Sequence, residues 1–229
     1  IMEYAPIGVF ALLAGLIVDL AGDDPNNIIT TLTPLLYYAL TVIVGLTFMV
    51  FIFYPLIIYV KTGITIKKFL KAIFPAQMLA FSTSSSAATL PLTMKRVEKN
   101  LNVSDEVTSF VCPLGATINM DGTSIHQAIS AVFIAQAFGQ DLTLIDQVAI
   151  VLTATLSSIG AAAVPGAGLI MLVIVLGAIG IDPQGLALII AIDRPLDMLR
   201  TVVNVTGDAT VASVVASTEG EKIKYTEDE

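Results

Sequence analysis

Five ionisable residues, Asp193, Arg194, Asp197, Arg200 and Asp208, fall within one stretch that otherwise reads as a membrane helix. Each such group costs about 2.5–3.5 kcal/mol at mid-helix on insertion scales, so intramembrane charges pair with one another or line a functional path. Asp197, Arg200, Thr201, Asn204 and Asp208 recur every three or four residues and share one helical face, which must look inward. A guanidinium grips a carboxylate through two parallel hydrogen bonds and stays charged when desolvated, which fits Arg200 to the side-chain carboxylate of a ligand. Asp197 suits an ammonium group. Together they describe a zwitterion with one extra negative charge, an acidic α-amino acid. An internal Asp197–Arg200 ion pair with no ligand is the competing explanation.

Two further stretches share the spacing Asn-x-x-Gly: NMDGT, from Asn119 to Thr123, and NVTGD, from Asn204 to Asp208. Both read as breaks in a helix. Unwound backbone at membrane depth is tolerated only where it is buried or lines a cavity, because each unpaired amide or carbonyl there costs several kcal/mol. Carbonyls freed in this way, with Asn and Asp oxygens beside them, make a cage for a hard cation such as sodium. A serine run, Ser82 to Ser86, precedes a short helix start, where free amides favour anions, so Ser85 and Ser86 fit an α-carboxylate. His126, one turn past the first break, has two readings, a proton relay or a packing histidine, and the second is preferred.

The elements that must position these residues follow from composition and charge. The 229 residues are 55% hydrophobic and 13% charged, with a mean hydropathy of +0.86, which places the chain in a bilayer. A core of about 30 Å needs about 20 helical residues, and the run from Ile28 to Val60 exceeds that without a charge. Lys61, Lys67, Lys68, Lys71, Lys95, Arg96, Lys99, Lys222 and Lys224 mark the cytoplasmic side, while the acidic loops at 22–27, 139–146 and 180–184 read as external.

The apolar segment 69–94 is basic at both ends and enters and leaves on one side. Its arms of about 12 residues, roughly 18 Å each, are too short to span. Segment 142–179 is acidic at both ends and broken in the middle by small residues and Pro165. The predicted fold is an all-α membrane protein with two re-entrant helical hairpins and two discontinuous transmembrane helices in an inverted repeat, the pattern that points to a transporter site. Its parts are a scaffold-helix end at 1–22, a transmembrane helix at 28–62, the hairpins at 66–99 and 142–180, and the discontinuous helices at 104–138 and 184–217. The polar cytoplasmic tail, 218–229, is expected to be disordered. The chain starts at Ile1 without a methionine and reads at once as half a helix, so further chain is expected upstream.

With NMDGT, a serine-rich tip followed by TLP, SIGxAxVPGAG and DxxRTxxNVxGD in this order, the chain resembles the dicarboxylate/amino acid:cation symporters, the excitatory amino acid transporter type among them, from about Ile1 to Ser217. The resemblance implies a transport domain moving as an elevator against a trimeric scaffold in the plasma or inner membrane, with the second hairpin as outer gate. It implies a substrate site at Ser86, Thr123, Val164, Gly168, Asp197, Arg200, Thr201 and Asn204. One co-transported sodium ion would take Gly115, Asn119, Asn204 and Asp208. Another would sit under the second hairpin with Thr117, Met120 and backbone of Ser158, Ile159 and Ala161, and a third would use Asn119 and Asp121.

Where archaeal members carry an arginine at the first hairpin tip, this chain has Ser84. Eukaryotic members place it directly after the aspartate, where this chain has Met198, and Arg194 one turn earlier is the candidate replacement. The full-length protein is expected to be a homotrimer in lipid, with an acidic amino acid and sodium as partners and no nucleic acid. A proton-coupled symporter and an ion channel are the rival functions. An enzyme is set aside, since no positioned nucleophile and base or His/Cys metal cluster is evident.

Overall fold

The computed structural model describes residues 26–227, and the scaffold-helix end expected at 1–22 lies outside them. Every regular element among the described residues is helical. Helix α1 (Asn26–Phe48) runs through a π-type turn (Met49–Phe53) into α2 (Tyr54–Thr62). Pro55 has no N–H to donate one turn back, and the ladder adjusts in the π turn before it. Leu35, Tyr38, Val42, Leu46, Val50 and Tyr54 face the core at near four-residue spacing, whereas Leu36, Tyr37, Leu40, Val44, Phe48 and Phe51 are exposed. This helix is apolar all round and covered by protein on one face only, which suits the other face to lipid. From Leu32 to Thr62 it is long and apolar enough to cross a membrane.

Two helix pairs follow. Helices α3 (Ile66–Thr83) and α4 (Ser86–Leu101) pack on each other across the two-residue turn Ser84-Ser85, with Ser84 left-handed at φ 51°. Helices α7 (Leu144–Ile159) and α8 (Ala167–Ala178) form the second pair across the small-residue segment 160–166. The Thr143–Asp146 capping box starts α7: each residue's side chain accepts from the other's backbone amide. Between the pairs, α5 (Asp105–Ile118) and α6 (Asp121–Ala137) are separated by Asn119 and Met120, whose backbone is not helical. The break expected in NMDGT is therefore present.

The break expected in NVTGD is not. After a 3-10 turn (Pro183–Leu188), α9 (Ile190–Thr218) is one uninterrupted helix of 29 residues through Asn204–Asp208. Gly207 has another purpose: a Cβ there would lie 2.6 Å from Asn119 Nδ2 and 2.7 Å from Tyr54 Oη. Glycine lets α9 approach the break in its neighbour, and the helix need not unwind. Helix α9 packs against α3, α4, α5, α6, α2 and α1, and so forms the axis of the molecule.

The tail is also ordered where disorder was expected. Lys224 N and Thr226 N donate to the carbonyls of Leu101 and Asn100, and Asn100 Nδ2 returns a bond to Thr226 O. Ile223 is buried in the cluster formed by Ile58, Phe69, Val97, Leu101 and Ala212. The alternation of polar residues around Ile223 and Tyr225 in EKIKYTE was the available signal for a short extended strap.

Candidate functional site

At the α5–α6 break, the amides of the first turn of α6 lack partners within their own helix. Asn204 on α9 supplies one: its Oδ1 accepts from Gly122 N at 2.8 Å. A Cβ on Gly122 would stand 2.5 Å from Arg200 O, so this close helix crossing requires glycine. Asn119 Nδ2 donates to Asp208 Oδ1 at 3.0 Å, and a Cβ on Gly115 would fall 2.5 Å from the same oxygen. Gly115, Asn119 and Asp208 therefore meet at one place, and Asn204, one turn before Asp208 on α9, bonds the start of α6 instead. Asp121 is held by the Tyr54 hydroxyl at 2.5 Å.

The second cation set assembles only in part. Ser158 joins Ser124 of α6 through their hydroxyls at 2.6 Å, and Met120 and Ala161 are buried nearby. Thr117, by contrast, is exposed and bonds its own helix at Leu114 O, and the Ile159 side chain is exposed. Among the described residues no group of three or more His, Cys, Asp or Glu side chains converges.

The two helix-pair tips touch. Ser85 Oγ donates to Ala163 O at 2.8 Å and accepts from Ala88 N at 3.1 Å, which commits its donor and one lone pair to closing the tip and capping α4. Between the tips lies a cavity of about 20 Å³ lined by Ser84, Ser86, Met120, Thr123, Ala161–Val164, Gly168, Asp197, Thr201 and Asn204. All of the substrate positions expected from sequence except Ser85 and Arg200 are in this lining. The Ser84 hydroxyl is buried without a hydrogen-bond partner and was not foreseen as a contact. Its left-handed turn position in STSSS was the only signal.

Arg200 lies directly behind the lining. A Cβ on Gly168 would be 3.0 Å from its Nη1. It is 1% exposed, and its Nη2 meets Asp197 Oδ1 at 2.8 Å and Asp193 Oδ1 at 3.3 Å. The Asp197–Arg200 ion pair is thus formed, while Nε is buried with no partner. The other oxygen of Asp197 accepts from Gly166 N at 3.0 Å and lies 3.5 Å from Arg194 Nη1, so Arg194 turns toward Asp197. On its far side Arg200 Nη1 touches His126 Nδ1 at 2.7 Å, and His126 Nε2 reaches Tyr38 Oη at 2.9 Å. Asp193, Tyr38 and Tyr54 had no assigned role from sequence: nothing local marks which tyrosines of an apolar helix turn inward.

The described residues thus combine helices alone, inward-facing charge, paired helix tips and an oxygen-lined break. The sequence model of the sodium:dicarboxylate symporter family matches residues 1–218, and the chain belongs to that family. It is 44% identical over 215 residues to an excitatory amino acid transporter of Caenorhabditis elegans, covering 94% of this chain and 42% of the relative. It is 43% identical over 215 residues to excitatory amino acid transporter 2 of Mus musculus (94% and 37%) and 43% over 224 residues to excitatory amino acid transporter 1 of Homo sapiens (98% and 40%). The chain spans about two fifths of the length of these curated relatives. It is a transporter-family membrane chain and not an enzyme.

Proposed function

We propose that this chain carries the substrate site of a secondary transporter that moves an acidic amino acid, aspartate or glutamate, together with sodium. The observation that carries the reading is the cavity between the two tips, lined from four separate segments and backed by a buried guanidinium with an unused donor. In this reading the substrate's side-chain carboxylate takes Arg200 and its ammonium takes Asp197. Ser86 and amides of the tips hold the α-carboxylate, with Thr123, Val164, Gly168, Thr201 and Asn204 around it. Ser85 serves the tip itself, closing it on Ala163.

Arg200 and Asp197 now compensate each other. An amino acid with an ammonium and an extra carboxylate exchanges partners with both, so neither buried charge is left alone. A cavity of about 20 Å³ has room for about one water molecule, so the tips have to part to admit substrate. The turn 160–166, rich in small residues, is the segment suited to move.

Sodium, as co-transported cargo, is assigned to Gly115, Asn119, Asn204 and Asp208, which offer it a carboxylate, amide oxygens and helix-end carbonyls. The Thr117, Met120, Ser158, Ile159 and Ala161 group and the Asn119–Asp121 pair are the further positions in this reading. The two helix pairs act as re-entrant hairpins entering from opposite faces of the plasma or inner membrane, and the domain moves as an elevator within a homotrimer of the full-length protein.

The experiment is uptake into proteoliposomes by the full-length protein. Aspartate or glutamate accumulates when an inward sodium gradient is imposed. Accumulation driven by a proton gradient alone, with no effect of sodium, overturns the sodium assignment.

A further inference from the structure

We infer that His126 is a positioning residue that holds the Arg200 guanidinium in the orientation a substrate carboxylate meets. The inference rests on the proposed reading of Arg200 as the carboxylate contact. Arginine nitrogens only donate hydrogen bonds, so whichever imidazole nitrogen faces Nη1 at 2.7 Å must accept. That nitrogen therefore carries its lone pair, and the ring is neutral with its proton on the opposite nitrogen, Nε2. Nε2–H is directed to Tyr38 Oη at 2.9 Å, with Ser130 Oγ at 3.3 Å and Asp193 Oδ1 at 3.4 Å around it. The Tyr38 hydroxyl continues to Ser130 Oγ at 2.8 Å, and its ring stacks on Phe133 at a centroid distance of 4.8 Å.

These contacts fix the ring from two sides. Tyr38 comes from α1, Ser130 and Phe133 from α6, and Asp193 and Arg200 from α9. Helix α8 carries no charged residue, and the one on α7, Asp146, is bound to Thr143 at the helix start. His126 is 0% exposed and outside the cavity lining, so it acts through Arg200 and not on substrate.

Without it, the guanidinium keeps only the acceptors on its Nη2 side, Asp197 and Asp193. The nearest charges then draw it onto that pair and out of the orientation that His126 holds. Discrimination between a carboxylate and a neutral side chain depends on where the guanidinium points, so the loss falls on acidic substrates. A residue that merely filled space would affect all substrates alike.

The test is sodium-dependent binding of L-glutamate and L-aspartate, beside their neutral counterparts L-glutamine and L-asparagine, to the purified full-length transporter. His126→Leu is expected to weaken binding of the acids by about tenfold or more, the effect of losing one hydrogen bond to a charged group, and to leave the amides unchanged. His126→Gln, whose Oε1 accepts from arginine, is expected to restore the acids to within about threefold of the native protein. In an Arg200→Ala background, His126→Leu is expected to add nothing.

Equal losses for acids and amides, unchanged acid binding in His126→Leu, or His126→Gln as weak as His126→Leu each overturn the inference. Should His126→Leu fail to fold, His126→Gln decides alone: loss of the preference for acids over amides refutes it. A native protein that binds no acid, or binds acids and amides equally, brings down the parent reading of Arg200, whereas native discrimination untouched by the His126 variants brings down only this one.

Discussion

At Gly122 and Gly207 the cost of a methyl group separates two kinds of close approach. On Gly122 the new Cβ meets backbone, Arg200 O at 2.5 Å and Arg200 Cα at 3.0 Å, which cannot turn aside. On Gly207 it meets two side-chain ends, Asn119 Nδ2 and Tyr54 Oη, which can shift at the expense of their bonds to Asp208 and Asp121. Gly207→Ala is therefore expected to cost about 1–3 kcal/mol, and Gly122→Ala to reach or exceed the top of that range. Thermal unfolding in detergent checks the order, and a Gly207→Ala protein less stable than Gly122→Ala contradicts the packing described. Asp208→Asn leaves the fold's shape but removes the one carboxylate among Gly115, Asn119 and Asn204. It is expected to weaken sodium binding at least tenfold, read from the sodium dependence of substrate affinity; unchanged sodium dependence removes Asp208 from the cation site. The charged residues proposed for the site stood out in the sequence because charge inside an apolar helix is conspicuous. Their partners were not: the Tyr38–His126–Arg200 chain joins residues 88 and 74 positions apart, and a buried Tyr or His looks the same in sequence as an exposed one.

Among the elements, the strap formed by the tail makes a prediction of its own. Glu221 accepts from Ser104 Oγ at 2.6 Å and Ser104 N at 2.9 Å, fixing the residue whose side chain caps α5. Ile223→Ala is expected to lower stability by about 2 kcal/mol, and deletion of 221–229 to lower it further, measured as a fall in Tm. An unchanged Tm on deletion means that the strap stabilises nothing. A hydrogen bond from Lys71 holds the Glu227 carboxyl below its usual range, so that contact is fully present above about pH 4.3 and fades as pH falls through the lower folded value. Both side chains are exposed and the pair is screened by salt, so protease resistance of the tail should hold steady from pH 7 to 5. Hydropathy and charge identified the helical class, and the Asn-x-x-Gly spacing pointed to the NMDGT break. The same spacing misplaced the second break because a glycine needed for helix contact and a glycine needed for unwinding carry the same letter. The strap was missed because a few polar residues have no core of their own and are ordered only by the groove that receives them.

For the whole molecule, the proposed topology is testable apart from transport. Single cysteines at Lys67 and Lys99, which flank the first helix pair, are expected to react with impermeant reagents from the cytoplasmic side, and cysteines at Asp141 and Asp182 from the outside. Labelling of Lys67 and Lys99 positions from opposite faces refutes a re-entrant pair. Helices α3, α4, α7 and α8, at 18, 16, 16 and 12 residues, reach about 27, 24, 24 and 18 Å, all short of a core of about 30 Å. Exposed apolar faces on α1, α2 and α7 fit either lipid or protein beyond the described residues. The most direct test of the central claim is calorimetric or fluorescence binding of L-aspartate and L-glutamate to the full-length detergent-purified protein, with and without sodium, beside Arg200→Ala. Binding that requires sodium and weakens by roughly 30-fold or more in the variant, the cost of removing one partner of a buried charge pair, is the predicted result. Binding indifferent to sodium, or undiminished without the guanidinium, contradicts the account.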